Sequence, residues 1–379
     1  MAASVARAAK MRGRYPRALV DTFCLRDYDY RRAETKPDID KKDISYAMVR
    51  LSENPEYGFA VGRVRALETA LFDRPRYERI ARTHTGDEFA AALAETAYSR
   101  FLESGAADVP LALDRAAGEN AAFFSEYALD KWLLDLFQLP AAFRRLKAAL
   151  KGKLSRGETE PVRPSEFSTP PLSLRVGEVV AAAEASFERN REPAAVDVTM
   201  DRLMQELQLQ VASASEFVVG YFGLHADLEN LRTLVRIKAQ ADGGEGGESR
   251  KDMENAFFAG GVLALGDFVA ALPEPWTALV DRFAKAPPYG AGDEDFRDYL
   301  EQGTAAVATQ RSFVRMERYG REKELRYLRQ ARYATFGYEP LVAFFLFHEN
   351  ELRNLRQLYT AKLAGVAEET ALDLVAYVE

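Results

Sequence analysis

The stretch FVVGYFGLHADLENLRTLVRIKAQ, residues Phe217–Gln240, indicates how the rest of the chain is organised. It runs from an apolar segment, through a predicted short break at Gly223, into an amphipathic helix. One face of that helix carries apolar residues at helical spacing, namely Leu224, Leu228, Leu231 and Val235. The other faces carry polar residues, which include Asp227, Asn230 and Arg232. This pattern predicts a helix that faces a core.

The same pattern returns near the end of the chain. When Phe217 is set against Leu341, the run Asp227–Leu234 (DLENLRTL) faces the run Glu351–Leu358 (ELRNLRQL), and Lys238 faces Lys362. An acid, an asparagine, an arginine and the leucines keep their places. A chance match between two amphipathic helices would keep the leucines but not the polar residues.

A third copy is weaker. When Phe137 is set against Phe222, the apolar spacing of residues 137–150 matches that of residues 222–235, but Ala142 and Arg145 replace the acid and the asparagine. The run Gly86–Leu93 also resembles Gly266–Leu272 with one residue deleted. Repetition of a helical unit predicts three similar modules with stacked interfaces.

Two roles are open to the repeated polar residues. An asparagine beside an apolar stripe can bind a neighbouring helix end or a broken backbone turn, and an acid near a helix N-terminus can cap that helix. We interpret Asp227, Asn230, Glu351 and Asn354 as structural, with catalysis as the alternative.

Composition excludes several classes of protein. The 379 residues carry a net charge of −7, whereas a duplex-binding protein is usually basic. The one cysteine, Cys24, excludes an intramolecular disulfide and a cysteine metal cage, and fits a reducing compartment. The longest apolar run, Leu341–Phe347, is too short for a membrane span.

Ala, Leu, Glu and Arg dominate, and no strand-like alternation occurs, so the predicted fold is all-α. Four helices are predicted with particular features: one that carries Phe59, Val61 and Val64 near one apolar face, helix 86–103 with Asp87 as its N-cap, helix 111–150 kinked at Pro140, and a charged helix over 293–334 broken near Gly320. A further helix is predicted to end at Gly220. The predicted connections include a linker over 153–172 and a flexible loop over 242–252.

The motifs of common enzymes are missing from the sequence. There is no nucleotide-binding glycine motif, no H-E-x-x-H and no G-x-S-x-G, and the loop GGEGGES carries glutamates that would repel phosphate. We therefore predict no catalytic residue, no metal site and no cofactor.

Three segments resemble a known family. YGFAVGRVRALETALFDRPRYERI (57–80), YFGLHADLENLRTLVRIKAQ (221–240) and FGYEPLVAFFLFHENELRNLRQLYTAKLAGV (336–366) are similar to the C-type subunit of the archaeal and bacterial V/A-type rotary ATPases and ATP synthases, a family that includes the d-type subunit of the eukaryotic V-ATPase. The extension before Tyr57 has no counterpart in this resemblance.

The resemblance implies a funnel-shaped all-α protein of three similar helical-bundle modules in a pseudo-threefold arrangement. With the repeat, it suggests an N-terminal extension (1–54) and modules over 55–160, 161–265 and 266–379. It also implies a non-catalytic rotor subunit between the central shaft (subunits of D and F type) and the membrane ring of proteolipid (c, K or L) subunits. Such a rotor protein would sit on the cytoplasmic face of a bacterial or archaeal membrane, without entering the bilayer and without nucleic acid.

Residues that could contact partners are Phe336, Tyr338 and Glu339 on the FGYEP turn, and Arg353 and Arg356 on the last long helix. Each could equally serve an internal hinge or an internal salt bridge. The alternative functions are a freestanding helical-repeat scaffold that binds peptides or proteins, and an all-α hydrolase.

Overall fold

The computed structural model describes residues 51–102, 108–156, 170–190, 193–241, 246–284 and 296–378. Most of the predicted N-terminal extension, most of the linker 153–172 and the start of the loop 242–252 therefore lie outside the described residues. Fifteen α-helices and no strand occur in the described part of the chain, which confirms the all-α prediction. The helices, in chain order, are α1 (Gly58–Glu68), α2 (Arg74–Ala81), α3 (Gly86–Ala94), α4 (Val109–Tyr127), α5 (Lys131–Arg156), α6 (Pro170–Asn190), α7 (Pro193–Ala212), α8 (Glu216–Ala241), α9 (Gly246–Ala256), α10 (Leu265–Ala271), α11 (Trp276–Phe283), α12 (Arg297–Gln310), α13 (Val314–Leu328), α14 (Glu339–Leu363) and α15 (Glu368–Leu372).

The chain divides into two compact units. Asp130–Pro273 lies in one, which we call the inserted unit, and Val49–Leu129 joins Glu274–Glu379 in the other, which we call the split unit. The three-module division and its threefold arrangement remain predictions.

In the inserted unit, α7 packs against α5, α6 and α8, and α8 packs against α9 and α10. Several predicted boundaries here were wrong. Helix α8 begins after Ser215, whose hydroxyl accepts the Val218 N–H, and it passes through Gly220 and Gly223 without a break. Pro140 lies inside α5, and the kink predicted there stays a prediction. Residues 246–252, predicted as loop, belong to α9.

In the split unit, the long helix α14 is central. It packs against α1, α4 and the short helices around them, and its apolar face joins one core with residues from both ends of the chain. That core includes Phe89, Leu93, Leu113, Leu352 and Leu355, all completely buried. The predicted helix 111–150 is two helices, because the chain leaves α4 at Ala128, in extended conformation.

In the split unit, local sequence explains where α2 and α3 begin. The Asp73 carboxylate caps α2 by accepting the Arg76 N–H, and Pro75 lies in the first turn of that helix. Thr85, not Asp87, caps α3 by accepting the Glu88 N–H. The predicted break near Gly320 was wrong: α12 ends at Arg311, which has a left-handed backbone (φ 52°), and Gly320 lies inside α13.

The FGYEP turn that starts α14 depends on Gly337. Its φ is 122°, a conformation that side chains disfavour, and a Cβ placed there would lie 2.3 Å from Ser52 Oγ. Residues 51–54 therefore close directly over this turn.

Candidate functional site

The repeated acid and asparagine of α8 hold the connection between α9 and α10. Asp227 is fully buried, and its Oδ2 accepts the N–H groups of Val262 at 2.8 Å and Leu263 at 3.2 Å. Asn230 donates to the carbonyl of Phe258 and accepts that residue's N–H, both at 2.8 Å. These side chains replace the helical hydrogen bonds that the connection lacks.

Helix α14 repeats this arrangement with different partners. The Glu351 carboxylate accepts the Phe72 N–H and, at 2.7 Å, the Tyr98 hydroxyl. Asn354 donates to the carbonyl of Ala376 at 2.7 Å and accepts its N–H at 3.3 Å. The two asparagines therefore each bind a broken backbone turn, which was one of the two roles open to them.

A lysine completes each set. Lys238 Nζ donates to the carbonyls of Leu272 and Ala271 at the C-terminal end of α10, and Lys362 Nζ donates to Ala81 at the C-terminal end of α2. Each short helix is thus held by an acid just before its N-terminus and by a lysine at its C-terminus, as the helix dipole favours.

These contacts correct two predictions. By its contacts α10 corresponds to α2, so the sequence likeness of Gly86–Leu93 to Gly266–Leu272 does not mark equivalent helices. The acids do not cap their own helices, because Asp227 and Glu351 lie in the middle of α8 and α14. They hold a neighbouring segment instead.

The weak third copy on α5 lacks the acid and the asparagine that make these contacts. Ala142, at the position of the acid, is buried, and Arg145 is exposed. Lys147 and Lys151 of α5 form ion pairs with Asp201 and Asp197 of α7.

Burial changes the acidity of the groups around Glu351. Desolvation raises the pKa of Glu351 to about 7, although the hydrogen bonds from Phe72 and Tyr98 oppose it. Desolvation also raises the pKa of Tyr98, and it lowers the pKa of His348 to about 4. His348 Nε2 lies 3.2 Å from the Tyr98 hydroxyl, so the half-buried His348 adjoins the buried pair of Tyr98 and Glu351.

The predicted partner residues divide into two sets. Glu339 is buried, and its carboxylate accepts the N–H of Ser52 at 2.6 Å and its hydroxyl at 2.8 Å, so it is an internal contact and not part of the surface. Arg356 donates to Asp114 at 3.0 Å and to the Leu113 carbonyl, which makes it an internal salt bridge. Phe336 and Arg353 are exposed, and the half-buried Tyr338 packs its ring against Tyr57.

Aromatic side chains flank the start of α1 on two sides, which the sequence did not reveal. Phe59, predicted to face the core, is 69 % exposed, and its ring contacts that of Tyr127. Phe336 is 44 % exposed and lies against Gly58. We call Phe59, Tyr127 and Phe336 the aromatic edge. Its members come from three distant segments, so no local pattern could have identified it.

Two further findings concern the described residues. No helix among them is both long and apolar enough to cross a bilayer. Nor do three or more of their His, Cys, Asp and Glu side chains form a group that could hold a metal ion.

These features together define an all-helical protein whose buried polar residues join helices and whose aromatic edge is partly exposed. Residues 60–374 match the family model described as ATP synthase (C/AC39) subunit, and the chain belongs to that family. This confirms the resemblance found in the sequence. No curated protein sequence matches the chain.

Proposed function

We propose that this chain is a non-catalytic adaptor in the rotor of a V/A-type ATPase or ATP synthase. It joins the central shaft, made of D- and F-type subunits, to the membrane ring of proteolipid subunits during proton or sodium transport. It acts at the cytoplasmic face of the membrane as a peripheral subunit. The observation that carries this proposal is the family match, which spans nearly the whole described chain.

The internal contacts support the role. An adaptor that passes torque must not yield between its helices, and densely packed helices resist deformation. Here the connections that would be weakest, at Phe258, Val262, Phe72 and Ala376, are tied by buried side chains to the long helices α8 and α14.

The aromatic edge is our candidate surface for a partner protein. Aromatic side chains are enriched at protein interfaces and supply much of their binding energy. Arg353, exposed on α14, is a second candidate, and Tyr338 of the FGYEP turn packs against Tyr57 of the same unit.

The test is a pull-down from detergent-solubilised membranes with the tagged chain. We expect it to retain shaft and ring subunits. Phe59→Asp and Phe336→Asp should each reduce retention of one partner by about tenfold or more, as loss of an interface anchor does. Leu363→Asp is a matched control, since Leu363 is 65 % exposed and lies at the far end of α14.

The outcomes separate the alternatives. Retention of neither shaft nor ring subunits would exclude the adaptor role and favour a freestanding scaffold. Saturable ATP binding by the pure chain at micromolar concentration would contradict the non-catalytic assignment. If both aromatic-edge variants retain their partners normally, the aromatic edge is not the partner-binding surface, and the adaptor role is unaffected.

A further inference from the structure

The split unit contains a pocket between α1, α4, α14 and the short 3-10 helix Ala97–Phe101. It encloses about 90 Å³, and its walls are mainly apolar, made by Leu67, Leu71, Phe101, Phe123 and Phe344. An engineered apolar cavity of about 150 Å³ binds benzene, so in proportion this pocket holds roughly four non-hydrogen atoms of a ligand.

The inner end of the pocket is polar. Asn120 lines it and is 3 % exposed. Its Nδ2 donates to the Phe345 carbonyl and to Glu349 Oε1, each at 3.2 Å, which fixes the orientation of the amide. Its Oδ1 is buried and has no hydrogen-bond partner among the described residues. A buried acceptor without a donor is costly, and a ligand with a donor would satisfy it.

Glu351 also lines the pocket, together with Tyr98 and His348. One carboxylate oxygen of Glu351 accepts from Tyr98 and the other from Phe72, and each oxygen has a further lone pair. Within the described part of the chain no basic side chain forms an ion pair with Glu351, and Arg76 acts on it only from a distance. The inner end therefore offers acceptors and an uncompensated carboxylate.

These properties select the chemistry of the ligand. A protonated amine supplies several donors and the missing positive charge, and aromatic walls attract a cation. An alcohol supplies one donor and no charge, and an ionised carboxylate would be repelled by Glu351. The Arg100–Glu119 ion pair lies at the exposed end of the lining, where an alkyl chain would emerge.

We propose that this pocket binds a small primary alkylamine in its protonated form, with the ammonium group at Asn120 and Glu351 and the alkyl chain against Leu67, Phe123 and Phe344. The proposal concerns the split unit alone and does not depend on the adaptor role.

The test titrates the full chain with n-butylamine, n-butanol and butyrate at pH 7.5, followed by calorimetry and by the NMR signals of the histidine rings. We expect saturable binding of n-butylamine at millimolar concentration, binding of n-butanol about tenfold weaker or more, and no binding of butyrate. Glu351→Gln should weaken n-butylamine by about tenfold and leave n-butanol nearly unchanged, since only the amine uses the charge.

Filling variants locate the site. Ala70 and Ala97 line the pocket and are exposed, so Ala70→Phe and Ala97→Phe should abolish n-butylamine binding without removing a core side chain. Ala91→Phe is the matched control, because Ala91 is exposed on α3 and does not line the pocket. Circular dichroism checks that each variant is folded. The proposal is overturned if n-butylamine does not saturate, if n-butanol binds equally well, or if folded filling variants still bind.

Discussion

Replacing Glu351 by glutamine should change how the stability of the split unit depends on pH. The ordinary pKa of a glutamate is 4.5, and burial raises that of Glu351 to about 7. A raised pKa means that the folded state holds its proton more tightly. The contribution of the group is therefore fully favourable below pH 4.5 and is lost as the pH rises through 7. At about 1.4 kcal/mol for each pH unit, the loss amounts to about 3 kcal/mol.

His348 works in the opposite direction. Its pKa falls from 6.5 to about 4 on burial, so the folded state resists protonation and loses stability as the pH falls from 6.5 toward 4. Between pH 4.5 and 6.5 the two groups change the free energy of unfolding with pH in opposite directions. In the wild-type chain these two changes largely cancel. Glu351→Gln removes the contribution of the glutamate. The free energy of unfolding of this variant, relative to that of the wild type, should therefore rise by about 3 kcal/mol between pH 4.5 and 7.5. The free energy of unfolding of His348→Asn should rise relative to that of the wild type as the pH falls from 6.5 toward 4.

The assay is urea unfolding at a series of pH values. The two tryptophans lie in different units, Trp132 in the inserted unit and Trp276 in the split unit. In a Trp132→Phe background, fluorescence therefore reports on the split unit alone. Glu369→Gln, at an exposed position of α15, controls for the change in net charge. A difference between Glu351→Gln and wild type that stays constant across the pH range would refute the reasoning.

Three further predictions concern the contacts that join the helices. Asn230→Ala leaves both backbone groups of Phe258 unpaired and should cost about 2–3 kcal/mol in urea unfolding followed by Trp132; a cost within error of zero would mean that the asparagine does not hold the turn. Asn354→Ala should cost more than Asn350→Ala, because both donate to the Ala376 carbonyl but only Asn354 accepts the Ala376 N–H; equal costs would contradict this. Gly261→Ala should destabilise the protein by about 2–4 kcal/mol, since the new Cβ would lie 1.8 Å from Asp227 Oδ1. The Cβ of Gly266→Ala meets nothing within 4 Å, so this variant should stabilise α10 by about 0.5–1 kcal/mol. Thermal unfolding that shows the same sign for both variants would reject the packing argument.

Much of the fold could be predicted because helical periodicity and composition are local properties. The correspondence of α8 with α14 could also be predicted, since Asp227, Asn230 and Lys238 have side-chain counterparts at fixed spacing. The partners of those side chains could not. They are backbone groups of residues such as Phe258 and Ala376, whose side chains carry no information about the contact.

The same limit applies to the candidate sites. Glu339 looked like a surface residue of an exposed turn, but its partner Ser52 is 287 positions away. Phe59 looked like a core residue because the helical pattern placed it near the face of Val61 and Val64, and only the folded structure shows that it stays outside. The helix break at Arg311 gave no signal because neither glycine nor proline marks it.

The division of the split unit between the two ends of the chain has a consequence for synthesis on the ribosome. The contacts that fix α2 come from Glu351 and Lys362, which are made 279 and 281 positions after Phe72 and Ala81. Domains fold as they emerge, so the inserted unit can complete itself while α1 to α4 still wait for α14. Until α14 has been made, the apolar faces of those first helices lack the helix that buries them. A chain that stops before α14 would therefore leave α1 to α4 without the core that holds them. In a cell those four helices would be the first part of the chain open to proteolysis.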